Sequence, residues 1–367
     1  MNRLNSIQAL RGLASVMVVL FHLHEMVAAF GYRSPGLSFF RWFGFAGVDL
    51  FFVISGFIIT YSNRNSLGRA VALPGFLFRR LWRIYPAYWC AYAIAIAVAM
   101  LMFGRQILLS NNAADLARWL ALLPGLDNQF AGQAWTLTYE LMFYFGFGLL
   151  MLLPRRGAKP ALACWAAAVA TVMCFGDTAW LPLQPLVLEF LGGCGIAWLA
   201  VRGRTPHGRL AVCLGIAWAA AAILLVNRFE PAPFGSAMTS HRLRVLTFGP
   251  PAVLIVYGCV ATEGTWRVPR SMVQLGEASY SLYLTHPSIV ILGKYVGYFL
   301  PHAFLPHLVW WLGTLAAAIA FSFAFHYAVE RPLLACISRR SDPSQSRGRF
   351  RFSLPLFIRK ISSRHRV

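Results

Sequence analysis

Charge is scarce in this chain of 367 residues: Asp, Glu, Lys and Arg make up 12% of it, and only 12 residues are acidic. Soluble domains carry about 25% charged residues, so there is too little polar surface to cover a water-soluble particle, and a globular soluble protein is excluded. Cysteine pairing is absent too. Cys90, Cys164, Cys174, Cys194, Cys213, Cys259 and Cys336 lie scattered in or beside apolar runs, without a C-x-x-C pair or a Cys/His cluster. That pattern excludes a disulfide framework and a zinc site, and no metal is expected. No long polar stretch precedes the C-terminal tail, so chemistry is expected on apolar segments and short loops. Self-similar halves are missing as well, which disfavours an inverted-repeat transporter.

What the chain does have is apolar length. Residues of the apolar classes make up 58% of it, aromatics 15%, and mean hydropathy is +0.60. Apolar runs at 12–30, 44–62, 84–103, 134–153, 160–176, 180–200, 210–226, 245–262, 272–293 and 307–328 predict an all-α polytopic membrane bundle of about ten transmembrane helices. The run at 116–126 is too short to span and is expected to lie at the interface or re-enter. Arg3 and Arg11 ahead of the first run imitate a secretory signal, but His22 and Glu25 stand where a cleavage site would be, so an uncleaved first span is expected. Pro182, Pro185, Gly192-Gly193 and Pro250-Pro251 predict kinked or closely packed helices.

Net charge is +21, from 33 Lys and Arg against 12 acidic residues. In a soluble chain that balance would suggest nucleic acid; here its distribution sets orientation. Alternating the ten spans puts 25 of the 33 cations on the side of both termini, so both termini are expected in the cytoplasm. Two regions are expected: a transmembrane domain over 1–337 and a basic tail over 338–367, disordered or lying on anionic lipid.

Ionisable groups inside spans cost about 2.5–3.5 kcal/mol each on insertion scales, so each is a functional candidate. Arg11 and His22 are separated by about 16 Å of rise and three turns plus roughly 20°, which puts both on one face of the first span. Glu25 lies close to that face, three residues beyond His22. Asp49, near the outer end of the second span, and Glu140, in the outer half of the fourth, are expected at the depth of His22, where a carboxylate would orient the imidazole. A polar network that merely holds helices together is the structural alternative. At the inner mouth of span three, Arg79, Arg80 and Arg83 form a cluster suited to phosphates, although positive-inside bias alone also produces such a run. Ser55, Trp135, Tyr283 and His286 complete the candidate cavity residues, with His286 equally readable as a group that satisfies a proline kink. Glu189 and Glu330-Arg331 read as ion-pair or capping features.

Five segments, in order, resemble the acyltransferase 3 family of integral membrane enzymes, and among them bacterial exopolysaccharide O-acetyltransferases. They are Ile7-Gln8-Ala9-Leu10-Arg11-Gly12-Leu13-Ala14 with His22, Gly47 to Phe57, Arg79-Arg80-x-x-Arg83-Ile84-x-Pro86, Trp135-Thr136-Leu137-Thr138-x-Glu140, and Tyr280-Ser281-Leu282-Tyr283-Leu284-x-His286-Pro287. The likeness extends over nearly the whole chain. It implies transfer of an acyl group, usually acetyl from cytoplasmic acetyl-CoA, to a hydroxyl of a cell-envelope or exported glycan, and it implicates Arg11 and His22 in activity. Many members carry adjacent acidic residues where this chain has Glu140-Leu141. Some append a periplasmic hydrolase-like domain; none is seen here, so transfer is expected to finish in the membrane module or on another protein.

The expected activity is therefore O-acyl transfer in the bacterial inner membrane, with acyl-CoA as donor substrate and no permanently bound cofactor. The expected partners are acyl-CoA, a glycan or lipid-linked glycan, membrane lipids and polysaccharide biosynthesis machinery, not nucleic acid. Donor phosphates would dock on Arg11, Arg79, Arg80 and Arg83, while His22, helped by Asp49 or Glu140, would act on the acceptor hydroxyl. His22 is either a general base or the carrier of a transient acyl-imidazole. The rivals are a transporter or flippase for an anionic or glycolipid substrate, with His, Asp and Glu as a proton path, and a non-catalytic scaffold of an export machine.

Overall fold

The computed structural model describes residues 4–31, 35–109, 112–125, 128–176, 178–229, 241–300 and 304–340. Residues 341–367, most of the predicted basic tail, lie outside them, as do Arg3 and Arg33. The described residues are helical and form no strand. The long helices are α1 (Asn5–Ala28), α2 (Gly47–Asn63), α3 (Leu73–Phe103), a short α4 (Ala113–Leu120), α5 (Trp135–Leu152), α6 (Ala158–Phe175), α7 (Val187–Val201), α8 (Gly208–Phe229) and α9 (His241–Ala261). They are followed by α10 (Arg270–Glu277), α11 (Ser279–Gly297), α12 (Phe304–Phe325), a π-helical turn at His326–Glu330 and α13 (Arg331–Arg340).

Each of the ten predicted apolar runs overlaps a long helix, and among the described residues seven helices are long and apolar enough to cross a membrane. This is an integral membrane bundle. The other three are α5, α7 and α11. Helix α7 is apolar but has only 15 residues, while α11 carries buried polar groups at Ser279, Ser281, Thr285, His286 and Ser288, and α5 carries Thr136 and the partly buried Glu140. Helices that build a polar interior give up apolarity.

Helix α2 lies at the centre, against α1, α7 and α9, while α11 packs on α1, α3 and α12. Helices α2 and α7 cross through glycine: a Cβ on Gly56 would sit 1.9 Å from the Phe190 carbonyl oxygen, and one on Gly193 would sit 2.0 Å from that of Val53. Small residues let the two backbones meet. Phe190 beside this crossing stacks on Phe52 at 4.6 Å and on Phe143 at 4.4 Å, joining α2, α5 and α7.

Two connections depart from expectation in ways that move the site. Residues 35–46 turn back into the bundle as a single α-turn and two 3₁₀ turns, so α2 starts deep: a Cβ on Gly47 would meet the Ala14 carbonyl oxygen at 2.2 Å. The predicted ninth span is also broken. Its first part is α10, which crosses α1 where Gly276 meets the Gln8 carbonyl, and α11 begins anew at Ser279. The run at 116–126 overlaps α4. Asn112 caps that helix, accepting the Asp115 amide N–H at 2.8 Å. At its other end the carbonyls of Trp119, Leu120 and Ala121 accept from Tyr88, Trp89 and Tyr85 of α3 at 2.8, 3.0 and 2.9 Å. Three aromatic donors thus satisfy carbonyls that a helix end leaves orphaned.

Candidate active site

Arg80 and Arg83 share a face of α3 because residues three apart differ by about 60° around a helix. Both turn inward, and with Arg11 of α1 they line a cavity walled by α2, α5 and α11. Arg79, although only about 40° from Arg83, is exposed and does not line it. Three of the four predicted donor-binding cations therefore converge. Ser55, Tyr280 and Tyr283 line the same space.

Glu140 lies here too, not beside His22. Its Oε1 accepts from Ser55 Oγ at 3.3 Å and from the Tyr144 hydroxyl, and it is within electrostatic reach of Arg11, Arg80 and Arg83. A second carboxylate backs the cluster. Glu330, buried in the π-helical turn, accepts from Ser281 Oγ at 2.5 Å, pairs with His326 Nδ1 at 2.8 Å, and acts electrostatically on Arg83 and Arg11. Two carboxylates among three arginines leave the cavity net positive, and the arginine forks suit an anionic group such as a phosphate.

His22 belongs to a separate group farther along α1. Its Nδ1 lies 3.2 Å from Glu25 Oε2, so the carboxylate at the imidazole is Glu25, rather than Asp49 or Glu140. Its ring stacks on that of His286 from α11, with centroids 5.2 Å apart and planes 16° from parallel. The His22 side chain is 34% exposed, whereas His286 is fully buried. His286 Nδ1 lies 3.0 Å from the Leu282 carbonyl oxygen, and its Nε2 has no hydrogen-bond partner among the described residues. Neither histidine lines the arginine cavity. Tyr283 stands between: its ring is 6.0 Å from His286 and 5.9 Å from Phe51 of the cavity wall, and its hydroxyl is held by Thr136 Oγ1 at 2.7 Å.

Asp49 is committed elsewhere. It is fully buried, and Arg244 of α9 grips it through Nη2 at 2.7 Å and Nε at 3.1 Å to both oxygens, while Nη2 also reaches the Phe45 carbonyl at 3.2 Å. The guanidinium lies over the rings of Phe45 and Trp135, at 5.2 and 5.6 Å. Glu189 lies against this pair, its oxygens buried without a donor among the described residues. Trp135 is thus drawn to Arg244 and stacked on His241 at 6.2 Å.

The expected single level of His22, Asp49 and Glu140 is accordingly corrected to three places. The cause is axial offset. Helix α2 begins beside Ala14, about 12 Å of helix short of His22, and α5 begins at Trp135, level with the Asp49–Arg244 pair. Glu140, about 7 Å further along α5, falls among the arginines. The reading of the sequence missed Arg244, Tyr144 and Tyr280. Arg244 could have been suspected as a lone cation opening an apolar run, and Tyr144 as the residue one turn after Glu140 on the same face.

The chain is similar to known acyltransferases. The profile of a family described as an acyltransferase domain matches residues 4–327. The exopolysaccharide production protein ExoZ of Rhizobium meliloti (strain 1021) is 32% identical over 306 residues, covering 79% of this chain and 90% of its own length. The membrane-bound transacylase BcsY of Komagataeibacter xylinus, a tentative designation in its own name, is 30% identical over 369 residues, covering 95% and 87%. The O-acetyltransferase OatA of Staphylococcus aureus (strain NCTC 8325 / PS 47) is 22% identical over 365 residues, covering 90% of this chain and 57% of its own length. No solved structure matches the chain.

Proposed function

Because this chain belongs to the acyltransferase 3 family, and is an acyltransferase of the membrane, we propose that it moves an acetyl group from cytoplasmic acetyl-CoA to a hydroxyl of an exopolysaccharide or its lipid-linked precursor. The observation that carries the proposal is the cavity of Arg11, Arg80 and Arg83. A thioester donor with several phosphates needs converging cations, and arginine offers them a bidentate fork. The ten-span reading, with both termini in the cytoplasm of a bacterial inner membrane, puts that cavity on the side where acyl-CoA is made. The relatives named for exopolysaccharide production and O-acetylation supply the class of acceptor.

Arg11 and His22 lie on one helix, about 16 Å apart along its axis. With the phosphates at the arginines, Tyr283, which stands between the arginine cavity and the histidine pair, has to move aside for the donor's long arm to bring the thioester to His22. Glu25 holds Nδ1 of His22, which leaves Nε2 to take the acceptor's proton. As the acceptor oxygen bonds to the thioester carbonyl carbon, the proton passes to Nε2. When the C–S bond breaks, the thiolate leaves with that proton and His22 is neutral again. Glu140, held by Ser55 and Tyr144, offsets charge among the arginines. Asp49 with Arg244 holds α2 to α9.

The acetyl content of the polysaccharide secreted by a deletion strain tests this directly. Complementation with the wild-type gene is expected to restore it and His22→Ala is not, at equal protein in the membrane. Unchanged acetyl content in the deletion strain would count against the proposal.

A further inference from the structure

We infer that His286 is the positioning residue of the base: its neutral ring lies in an offset, near-parallel stack with His22, fixes the plane of that ring, and supplies an aromatic surface beside the His22 imidazolium that forms on taking the acceptor's proton. The inference rests on the acyl-transfer reading of His22 and assigns His286 a part in it.

The geometry of His286 makes it a neutral partner. Its Nδ1 is within 3.0 Å of the Leu282 carbonyl, an acceptor, so Nδ1 carries the proton. Its Nε2 is buried with no partner among the described residues, so a second proton there would be an N–H without an acceptor, at a cost the site does not offset. Two stacked imidazoles cannot both be cations without strong repulsion, and His22 is the one with a carboxylate at hand. A cation beside a neutral π-system is attracted to it, here from one side only, since the His22 side chain is 34% exposed. His286 is fully buried.

The stack is also rigidly mounted. Leu282, one turn before His286, is buried in one cluster with Val19, Leu23 and Met26 of α1, so the two helices cannot slide without opening that core. Glu25 then sets the rotation of the His22 ring through Nδ1, His286 sets its plane, and Phe21 meets it edge-on at 5.2 Å. Together these leave His22 Nε2 aimed in one direction, the condition for efficient proton transfer.

Two substitutions divide the ring from its hydrogen bond. His286→Phe keeps an aromatic face and removes the donor to Leu282; His286→Asn keeps a short donor and removes the face. Full-length protein in detergent is assayed for CoA release from acetyl-CoA, with polysaccharide from the deletion strain as acceptor. His286→Phe is expected to hold kcat within about threefold of wild type, and His286→Asn to lose about tenfold or more, with KM for acetyl-CoA unchanged in both. If His286→Asn does not purify as a monodisperse protein, His286→Gln takes its place. Wild-type kcat in the ringless variant, an equal loss in both variants, or a parallel rise in KM for acetyl-CoA would overturn the inference. A second readout is independent of turnover: carbethoxylation of His22 by diethyl pyrocarbonate, followed by peptide mass spectrometry. The rate is expected to rise in His286→Asn and to stay at the wild-type value in His286→Phe; an unchanged rate in His286→Asn overturns the stack. Lack of acceptor-dependent turnover by the wild type would count against the acyl-transfer reading alone, and the carbethoxylation rates would still decide the role of His286.

Discussion

At the scale of single residues, neighbouring arginines on α3 do different work. Arg80 and Arg83 face the cavity and Arg79 faces away, so Arg80→Ala or Arg83→Ala is expected to weaken CoA binding by about tenfold, the loss of one charge-assisted contact. Arg79→Ala is expected to leave it near the wild-type value. Titration calorimetry with CoA decides this, and equal affinity in all three variants would remove the phosphate role. His22 is expected to behave differently. With its proton-accepting nitrogen gone, His22→Ala should lower kcat by about 10²–10⁴ without changing CoA affinity. Helical spacing made the shared stripe of Arg11 and His22 and the grouping of Arg79, Arg80 and Arg83 legible in the sequence, but not that Arg79, only about 40° from Arg83, faces away from the cavity. The stack of His22 on His286 was not legible either, since it depends on how far α11 slides along α1, and no residue pattern records that.

At the scale of elements, the buried Asp49–Arg244 pair is a fastener between α2 and α9. Asp49→Ala leaves the guanidinium buried without its carboxylate, and breaking such a pair costs about 3–5 kcal/mol. The expected outcome is a lower thermal midpoint in detergent and lower yield, while the molecules that do fold keep their CoA affinity. A normal midpoint with lost CoA binding would instead place Asp49 at the donor. The glycine crossing of α2 and α7 makes a companion case. A Cβ at Gly56 or Gly193 meets a carbonyl oxygen near 2 Å, so Gly56→Ala or Gly193→Ala forces the helices apart, and overpacking of this kind costs about 1–3 kcal/mol. The same elements explain the misplaced carboxylates. Hydropathy locates α2 and α5 but not their axial offset, which the 3₁₀ turns at Phe39–Trp42, Gly44–Ala46 and Gly132–Ala134 set. A turn of a few residues thus decided whether Asp49 and Glu140 met His22.

At the scale of the whole molecule, the bundle has two polar centres on one helix: cations at the first part of α1 and an imidazole pair toward its end. That separation suits a reaction whose donor enters from one face and whose acceptor is met deeper or beyond. It predicts a topology. A fluorescent protein fused after Val367 should fluoresce, because it folds in the cytoplasm, and alkaline phosphatase fused there should be inactive; the reverse pattern would put the arginine cavity on the wrong side for acetyl-CoA. The all-helical membrane class was legible in the sequence, since scarce charge comes with continuous apolar runs of about 20 residues, the length of a spanning helix. The division into an arginine chamber and a histidine pair was legible in part, because the Arg11–His22 stripe spans both, while Tyr283 as the partition came only with the tertiary packing. The most direct test of the account is the steady-state rate of acceptor-dependent CoA release by purified full-length protein, measured against acetyl-CoA concentration for wild type, Arg83→Ala and His22→Ala. A raised KM in the first variant and a collapsed kcat in the second are expected; turnover by His22→Ala at the wild-type rate would contradict it.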